Sequence, residues 1–138
     1  MKIFKFILAI VILFGLIQLI PYGKDHSNPV VENTPKWNNP QAKVLFQRAC
    51  ADCHSFETKW PKYANIAPIS WLIMSDIQEG RDHFNISKKV SKKDIKEAVK
   101  QIKEGEMPMW IYTIMHKDAR LTDQEKETLI KGLKSLVQ

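Results

Sequence analysis

Residues 50–54 read Cys50-Ala51-Asp52-Cys53-His54, and this short stretch decides what the rest of the chain must fold around. It holds both cysteines of the 138-residue chain, separated by two residues. C-x-x-C-H is the attachment motif for c-type haem. The two thiols add to the vinyl groups of the porphyrin, and the following histidine lies under the iron as its proximal ligand. The sequence therefore predicts one covalent haem c at Cys50 and Cys53, with His54 on the iron.

Other chemistries also use paired cysteines, and each needs something that this sequence does not offer. A thioredoxin-like C-x-x-C needs a βαβ setting, and no strand pattern is present. A structural zinc site needs four ligands at suitable spacing. The histidines left to complete such a site are His26, His83 and His116, and His26 lies in a proline-rich segment. A disulfide across two residues would stabilise the fold poorly, so haem attachment is the favoured interpretation.

Composition excludes several classes of protein. The chain is 44% hydrophobic with recurring aromatic residues, which argues against intrinsic disorder. Five glycines without a period exclude a collagen-like chain, and two cysteines are too few for a disulfide-stapled mini-protein. The formal net charge is +6. Because the N-terminus indicates export, nucleic acid is not the expected partner of this positive charge.

The N-terminus has the pattern of a membrane signal. Lys2 and Lys5 precede an uncharged apolar run over residues 6–20, and no A-x-A cleavage pattern follows. Residues 1–20 are therefore predicted to be an uncleaved signal anchor or transmembrane helix, with its lysines in the cytoplasm. Residues 21–38, rich in Pro and Asn, are predicted to be a tether, and residues 39–138 the haem-binding domain.

Helix signals recur through residues 39–138, and no stretch alternates apolar and polar residues as a strand does. Asn39 before Pro40 is typical of a helix start. Ser91 and Thr122 are each followed three residues later by an acidic residue, which predicts two further starts. Another helix is predicted over residues 69–80, with Ile69, Leu72, Ile73 and Ile77 as apolar residues at helical spacing. The prediction is an all-α domain.

A six-coordinate iron needs a ligand on the face opposite His54. The available residues are Met74, His83, Met107, Met109, Met115 and His116. Met107 stands out because Gly105 frees the chain from the preceding helix and Pro108 stiffens the loop. Any methionine of a small core can simply fill space, and Met74 is assigned to that role. Met107 is the predicted iron ligand, with Met109 and His116 as the alternatives.

Four stretches in order resemble a known family: CADCHSFETKWPKYANIAPISWLI, DIQEGRDHFNIS, GEMPMW and HKDARLTDQEK, within residues 39–138. They are similar to the small haem-binding domain family of bacterial membrane-anchored monohaem cytochromes. The resemblance implies a class I cytochrome c-like helical fold, covalent haem at Cys50 and Cys53, His54 as proximal ligand and a Met ligand at Met107. The family often reads Met-Pro-Pro, and here Met109 takes the place of the second proline.

The function expected from these features is single-electron transfer by a monohaem c-type cytochrome. It would be anchored in the bacterial inner membrane by its N-terminal helix, with the haem domain in the periplasm. The expected partners are redox proteins, without a small-molecule substrate, so the protein is not expected to be an enzyme. A lysine-rich stretch over residues 88–103 is either a solvated helix face or a docking face for an acidic partner or anionic lipid. The alternative function is a haem-based enzyme or sensor, peroxidase-like or gas-binding, with an open distal site.

Overall fold

The computed structural model describes residues 1–137, so Gln138, the last residue of the predicted haem domain, lies outside the described residues. Residues 1–137 contain seven α-helices and no strand, which confirms the all-α prediction. The helices are α1 (Lys2–Ile17), α2 (Pro40–Ala49), α3 (Ala51–His54), α4 (Ile69–His83), α5 (Lys92–Glu104), α6 (Trp110–Met115) and α7 (Asp123–Ser135). Two short 3₁₀ helices cover Lys62–Asn65 and Lys117–Ala119.

The predicted helix starts are confirmed by their capping hydrogen bonds. The Asn39 side chain accepts from two backbone N–H groups of the first turn of α2. Ser91 and Thr122 each form a complete capping box, with Asp94 and Glu125 respectively. These bonds satisfy N–H groups that have no partner inside the helix, so each helix begins where its sequence specifies.

The hydrophobic core lies where α2, α5 and α7 meet. α2 buries Leu45 and Phe46, and α7 buries Leu129, Ile130 and Leu133. The remaining buried members of this core are Ala51, Phe84, Ile86, Ile95, Val99 and Ile102. α2 and α7 approach so closely that a Cβ at Gly132 would overlap the Cβ of Ala42. This core supports one side of the candidate site described below.

The prediction for α4 is only partly right. The helix runs to His83, three residues beyond the predicted end at residue 80. Of the predicted apolar stripe only Ile77 is buried, whereas Ile69 is 44% exposed and Leu72 is 59% exposed. The first turns of α4 are therefore not covered by the core. Near its C-terminal end α4 packs closely against α3, where Gly80 adjoins Cys53.

The N-terminal residues form α1, none of whose residues is buried. Within residues 1–137, no helix combines the length and the apolar character that crossing a membrane requires. The Gln18 side chain, just past the end of α1, exchanges two hydrogen bonds with the backbone of Ala67, at 2.9 and 3.0 Å. These two bonds join the end of α1 to the segment before α4.

The predicted tether, residues 21–38, has no helix but follows the surface of the helical body. His26 stacks on Trp60 with ring centroids 4.4 Å apart. The backbone N–H groups of Glu32 and Asn33 both donate to the carbonyl of Ser87, at 3.0 and 2.8 Å. Trp37 then packs against the core. The segment is therefore held at several points along its length.

Candidate functional site

The two cysteines lie at the junction between α2 and α3. The chain departs from helical geometry at Cys50 (φ −130°, ψ −34°) and turns again through α3, where the His54 N–H donates to the Cys50 carbonyl at 2.9 Å. Both cysteines are unpaired. Burial raises the pKa of each thiol to about 12, so both are neutral thiols near pH 7. No group of three or more potential metal-ligating His, Cys, Asp or Glu side chains occurs within residues 1–137, which leaves the zinc interpretation without support.

The ring of His54 is fixed by two backbone carbonyls. Its Nδ1 lies 2.9 Å from the carbonyl oxygen of Gly80 and 2.9 Å from that of Phe84. Two acceptors at this distance require the proton to be on Nδ1, which leaves the lone pair of Nε2 free for a metal. Burial lowers the pKa of His54, so the imidazole is neutral at physiological pH. The side chain is thus held in the tautomer that an iron ligand needs.

Gly80 allows α4 to approach the attachment segment closely. A Cβ at this position would lie 2.8 Å from the carbonyl oxygen of Cys53 and 3.0 Å from its Cβ. Any larger residue would force the backbones of α3 and α4 apart. The same residue therefore provides both the space for Cys53 and one of the two carbonyls that orient His54.

Cys50, Cys53 and His54 line a cavity of about 340 Å³, within the range of small-molecule and cofactor sites. Apolar side chains of the core, Phe46, Phe84, Ala98, Ile102 and Leu133, form much of its wall. The acidic side chains that line it are Asp52, Asp76, Glu79, Asp94 and Glu97. Burial, and then the charge of Glu79, raises the pKa of Asp76. The cavity thus combines an apolar interior with carboxylates from α3, α4 and α5.

The methionine loop, residues 105–109, closes another side of the cavity. Gly105 ends α5 with a positive φ of 79°, a conformation that favours glycine, and the Met107 N–H then donates to the carbonyl of Gln101 at 3.3 Å. Met107, Pro108 and Met109 all line the cavity together with His54. The choice between the two methionines as iron ligand remains a prediction from sequence.

The other candidate ligands have different surroundings. The Nε2 of His116 lies 3.1 Å from the hydroxyl of Tyr63, and its ring stacks on Tyr112. Met115 is 62% exposed. His83 does line the cavity, with its Nε2 3.9 Å from a carboxylate oxygen of Glu79. Of the candidate methionines, Met107 and Met109 are the two that line the cavity with His54.

Sequence reasoning missed the residues that position the site without touching a metal. The carbonyls of Gly80 and Phe84 orient His54, but a backbone carbonyl leaves no trace in residue type. The Asp52 carboxylate accepts a hydrogen bond from the Tyr112 hydroxyl at 2.7 Å across 60 residues of sequence. The position of Asp52 inside C-x-x-C-H was visible, but nothing local indicated Tyr112 as its partner.

Comparison with known protein families gives a match over residues 12–135, to the model described as haem-binding domain. The chain belongs to the haem-binding domain family. The match includes all of residues 21–38, the segment that packs on the helical body. Comparisons with curated proteins and with solved structures returned no match.

The residues of this haem-binding domain fit the cofactor that the family implies. Two cysteines at C-x-x-C spacing line an apolar cavity. The neighbouring His54 carries its proton on Nδ1, which leaves Nε2 free to bind a metal. Cys50 and Cys53 would hold the porphyrin edge, and His54 would bind the iron. Haem binding is thus supported both by family membership and by the donor set of the cavity.

Proposed function

We propose that this haem-binding domain protein is a monohaem c-type cytochrome that carries single electrons on the periplasmic side of the inner membrane. One observation carries the proposal: Cys50, Cys53, His54 and Met107 line the same apolar cavity. Haem, when bound there, supplies an iron that accepts and donates one electron. His54 and Met107 would both hold the iron, which suits electron transfer better than substrate binding.

The chain's own residues would keep the site rigid while the charge of the bound iron changes by one unit. His54 is fixed by two carbonyls and needs no proton transfer, because burial keeps its imidazole neutral. The apolar wall excludes water from the interior of the cavity, which limits reorganisation around the changing charge. No catalytic acid–base pair is part of this proposal, and the protein is proposed not to be an enzyme.

The membrane location is proposed from the N-terminus. Lys2 and Lys5 lie at the start of α1, an otherwise apolar helix none of whose residues is buried, as expected of a segment that meets lipid. The two hydrogen bonds between Gln18 and Ala67 would keep the haem domain close to the end of this helix. We take α1 and its flanking residues as the anchor, with the haem domain outside the cytoplasm.

Redox proteins with acidic surfaces are the proposed partners. Five lysines of α5 and one of α7 line a shallow groove on the surface: Lys92, Lys93, Lys96, Lys100, Lys103 and Lys134. Only two acidic side chains, Glu97 and Glu104, line the same groove. Such a surface attracts an anionic partner and orients its approach.

The axial ligand provides the test. Thioether sulfur is a soft, neutral ligand that favours ferrous iron, so its loss should lower the reduction potential. In Met107→Ala we expect loss of the weak near-infrared sulfur-to-iron band of the ferric protein. We also expect the ferrous protein to bind carbon monoxide. Visible and near-infrared spectra of the purified full-length protein measure both properties.

Two control variants complete this experiment. Met109→Ala should retain the band and exclude carbon monoxide, and His116→Ala should do the same. A wild type without the band, combined with carbon monoxide binding only in His116→Ala, would make His116 the ligand. Carbon monoxide binding by the wild-type protein would instead support the alternative function, an enzyme or sensor with an open distal site.

A further inference from the structure

Asp52 lies between the two attachment cysteines, and both of its carboxylate oxygens have a partner. Its Oδ1 accepts from the backbone N–H of Lys59 at 3.0 Å, and its Oδ2 accepts from the hydroxyl of Tyr112 at 2.7 Å. Its backbone carbonyl accepts from the Thr58 hydroxyl at 2.6 Å. Asp52 thus links the attachment segment to the loop that follows it and, through Tyr112, to α6.

α6 has little else that fixes it to the rest of the protein. None of its residues is buried, and its four large apolar side chains, Trp110, Ile111, Ile114 and Met115, are 50–73% exposed. Since apolar burial does not hold this helix, its position depends on polar contacts. The Tyr112 hydroxyl on Asp52 is the shortest side-chain hydrogen bond from α6 to another element of residues 1–137.

Tyr112 is itself held in place from the other side. Its ring stacks on His116 at 4.2 Å, with the planes 13° apart. The Nε2 of His116 lies 3.1 Å from the hydroxyl of Tyr63. Burial and the neighbouring Asp52 raise the pKa of Tyr112, so its hydroxyl keeps the proton that it donates. Tyr112 also lines the cavity, as do Met107 and Met109 on the loop directly before α6.

We propose that Tyr112, through its hydrogen bond to Asp52, is a positioning residue that holds the methionine loop against the haem cavity. The inference rests on the proposed function, because it assigns the loop's methionine to the iron. Tyr112, three residues after Met109, donates to the charged carboxylate of Asp52. This bond links the methionine loop to the residue next to Cys53, which holds the porphyrin. Its loss lets α6 move outward, and the sixth position then opens for part of the time.

The test compares Tyr112→Phe with the wild-type full-length holoprotein. Phenylalanine keeps the ring and its stacking on His116 but removes the hydroxyl. We expect a weaker near-infrared sulfur band and an affinity of the ferrous protein for carbon monoxide raised about tenfold or more, as loss of a charge-assisted hydrogen bond predicts. The matched control, Tyr22→Phe, removes an exposed hydroxyl that donates to the side chain of Gln78 and should match the wild type. A wild-type band and affinity in Tyr112→Phe would overturn the proposal.

A double-mutant cycle separates this bond from the other contact of Asp52. Asp52→Ala also removes the acceptor for the Lys59 N–H. The relevant quantity is therefore the coupling between Asp52→Ala and Tyr112→Phe in their effects on carbon monoxide affinity. If the two residues act through one bond, Tyr112→Phe should change carbon monoxide affinity little in the Asp52→Ala background. Fully additive effects would contradict the proposal.

Amide hydrogen exchange gives a readout that does not depend on which ligand the iron has. In Tyr112→Phe, amides of α6 should exchange about tenfold faster or more, whereas those of α5 and α7 should be unchanged. Unchanged exchange in α6 would overturn the proposed role of Tyr112. A wild type that lacks the sulfur band while α6 exchanges faster in the variant would refute methionine ligation and leave Tyr112 only an anchor for α6.

Discussion

Replacing Gly80 by alanine tests the contact that links the stability of this fold to the geometry of its site. The added Cβ would lie 2.8 Å from the Cys53 carbonyl oxygen and 3.0 Å from the Cys53 Cβ, closer than either contact allows. Because these are a backbone atom and an atom next to it, side-chain rotation cannot relieve the overlap. α4 must therefore move away from α3.

The magnitude follows from three contributions. Overpacking of this kind costs about 1–3 kcal/mol. Weakening the hydrogen bond from His54 Nδ1 to the Gly80 carbonyl costs about a further 1 kcal/mol. Alanine in a helix interior gains about 1 kcal/mol over glycine, which offsets part of the loss. We expect Gly80→Ala to lower the free energy of unfolding by about 1–3 kcal/mol.

The assay combines urea unfolding with electron paramagnetic resonance of the ferric holoprotein. In Gly80→Ala we expect a lower unfolding midpoint and a changed spectrum, because His54 loses one of its two orienting carbonyls. The matched control is Gly132→Ala, whose Cβ would overlap Ala42 at the crossing of α2 and α7. It should destabilise the fold but leave the spectrum unchanged. A Gly80→Ala protein as stable as the wild type, with the same spectrum, would refute this reasoning.

Three further predictions concern attachment, anchoring and pH. Replacing both Cys50 and Cys53 by alanine should release the haem on acid extraction, and haem that stays covalently bound in that variant would contradict attachment at these residues. The purified full-length protein should keep Met1 and need detergent, whereas a soluble mature protein that starts near residue 23 would make the N-terminus a cleaved signal. The Thr122 backbone N–H and then Arg48 hold the pKa of Glu125 below its ordinary value of 4.5. Its contribution to stability is therefore complete above about pH 4.5 and lost as the pH falls through the lower folded-state pKa. Between pH 7 and pH 3, the urea midpoint of unfolding should fall less in Glu125→Gln than in the wild type. Parallel plots of midpoint against pH for the two proteins would contradict this.

The starts of α2, α5 and α7 were accessible from sequence because capping acts within one turn. Ser91 and Thr122 find their partners three residues ahead, and Gly105 ends α5 through its own backbone conformation. The stripe on α4 shows the limit of this reasoning. Helical spacing places Ile69 and Leu72 on one face, but spacing does not say whether another element covers that face, and none of the core does.

The candidate site likewise has residues that a local sequence pattern indicates and contacts that only tertiary packing creates. C-x-x-C-H is a local pattern, so Cys50, Cys53 and His54 could be assigned from residue type and spacing alone. Met107 could be nominated because a glycine and a proline flank its loop. That Met107 and Met109 share a cavity with His54 depends on how α5 packs against α7, which no local pattern encodes.

The sequence by itself therefore determined most helix starts and the class of cofactor and predicts the attachment residues, because each depends on interactions within about one helical turn. Tertiary structure alone decided which nitrogen of His54 is free, since the two carbonyls that hold Nδ1 lie 26 and 30 residues away. It likewise decided the pairing of Asp52 with Tyr112 and the path of residues 21–38 along the helical body. Such contacts exist only once separate helices have taken their positions, because their partners are too far apart in the chain to be related by any local geometry.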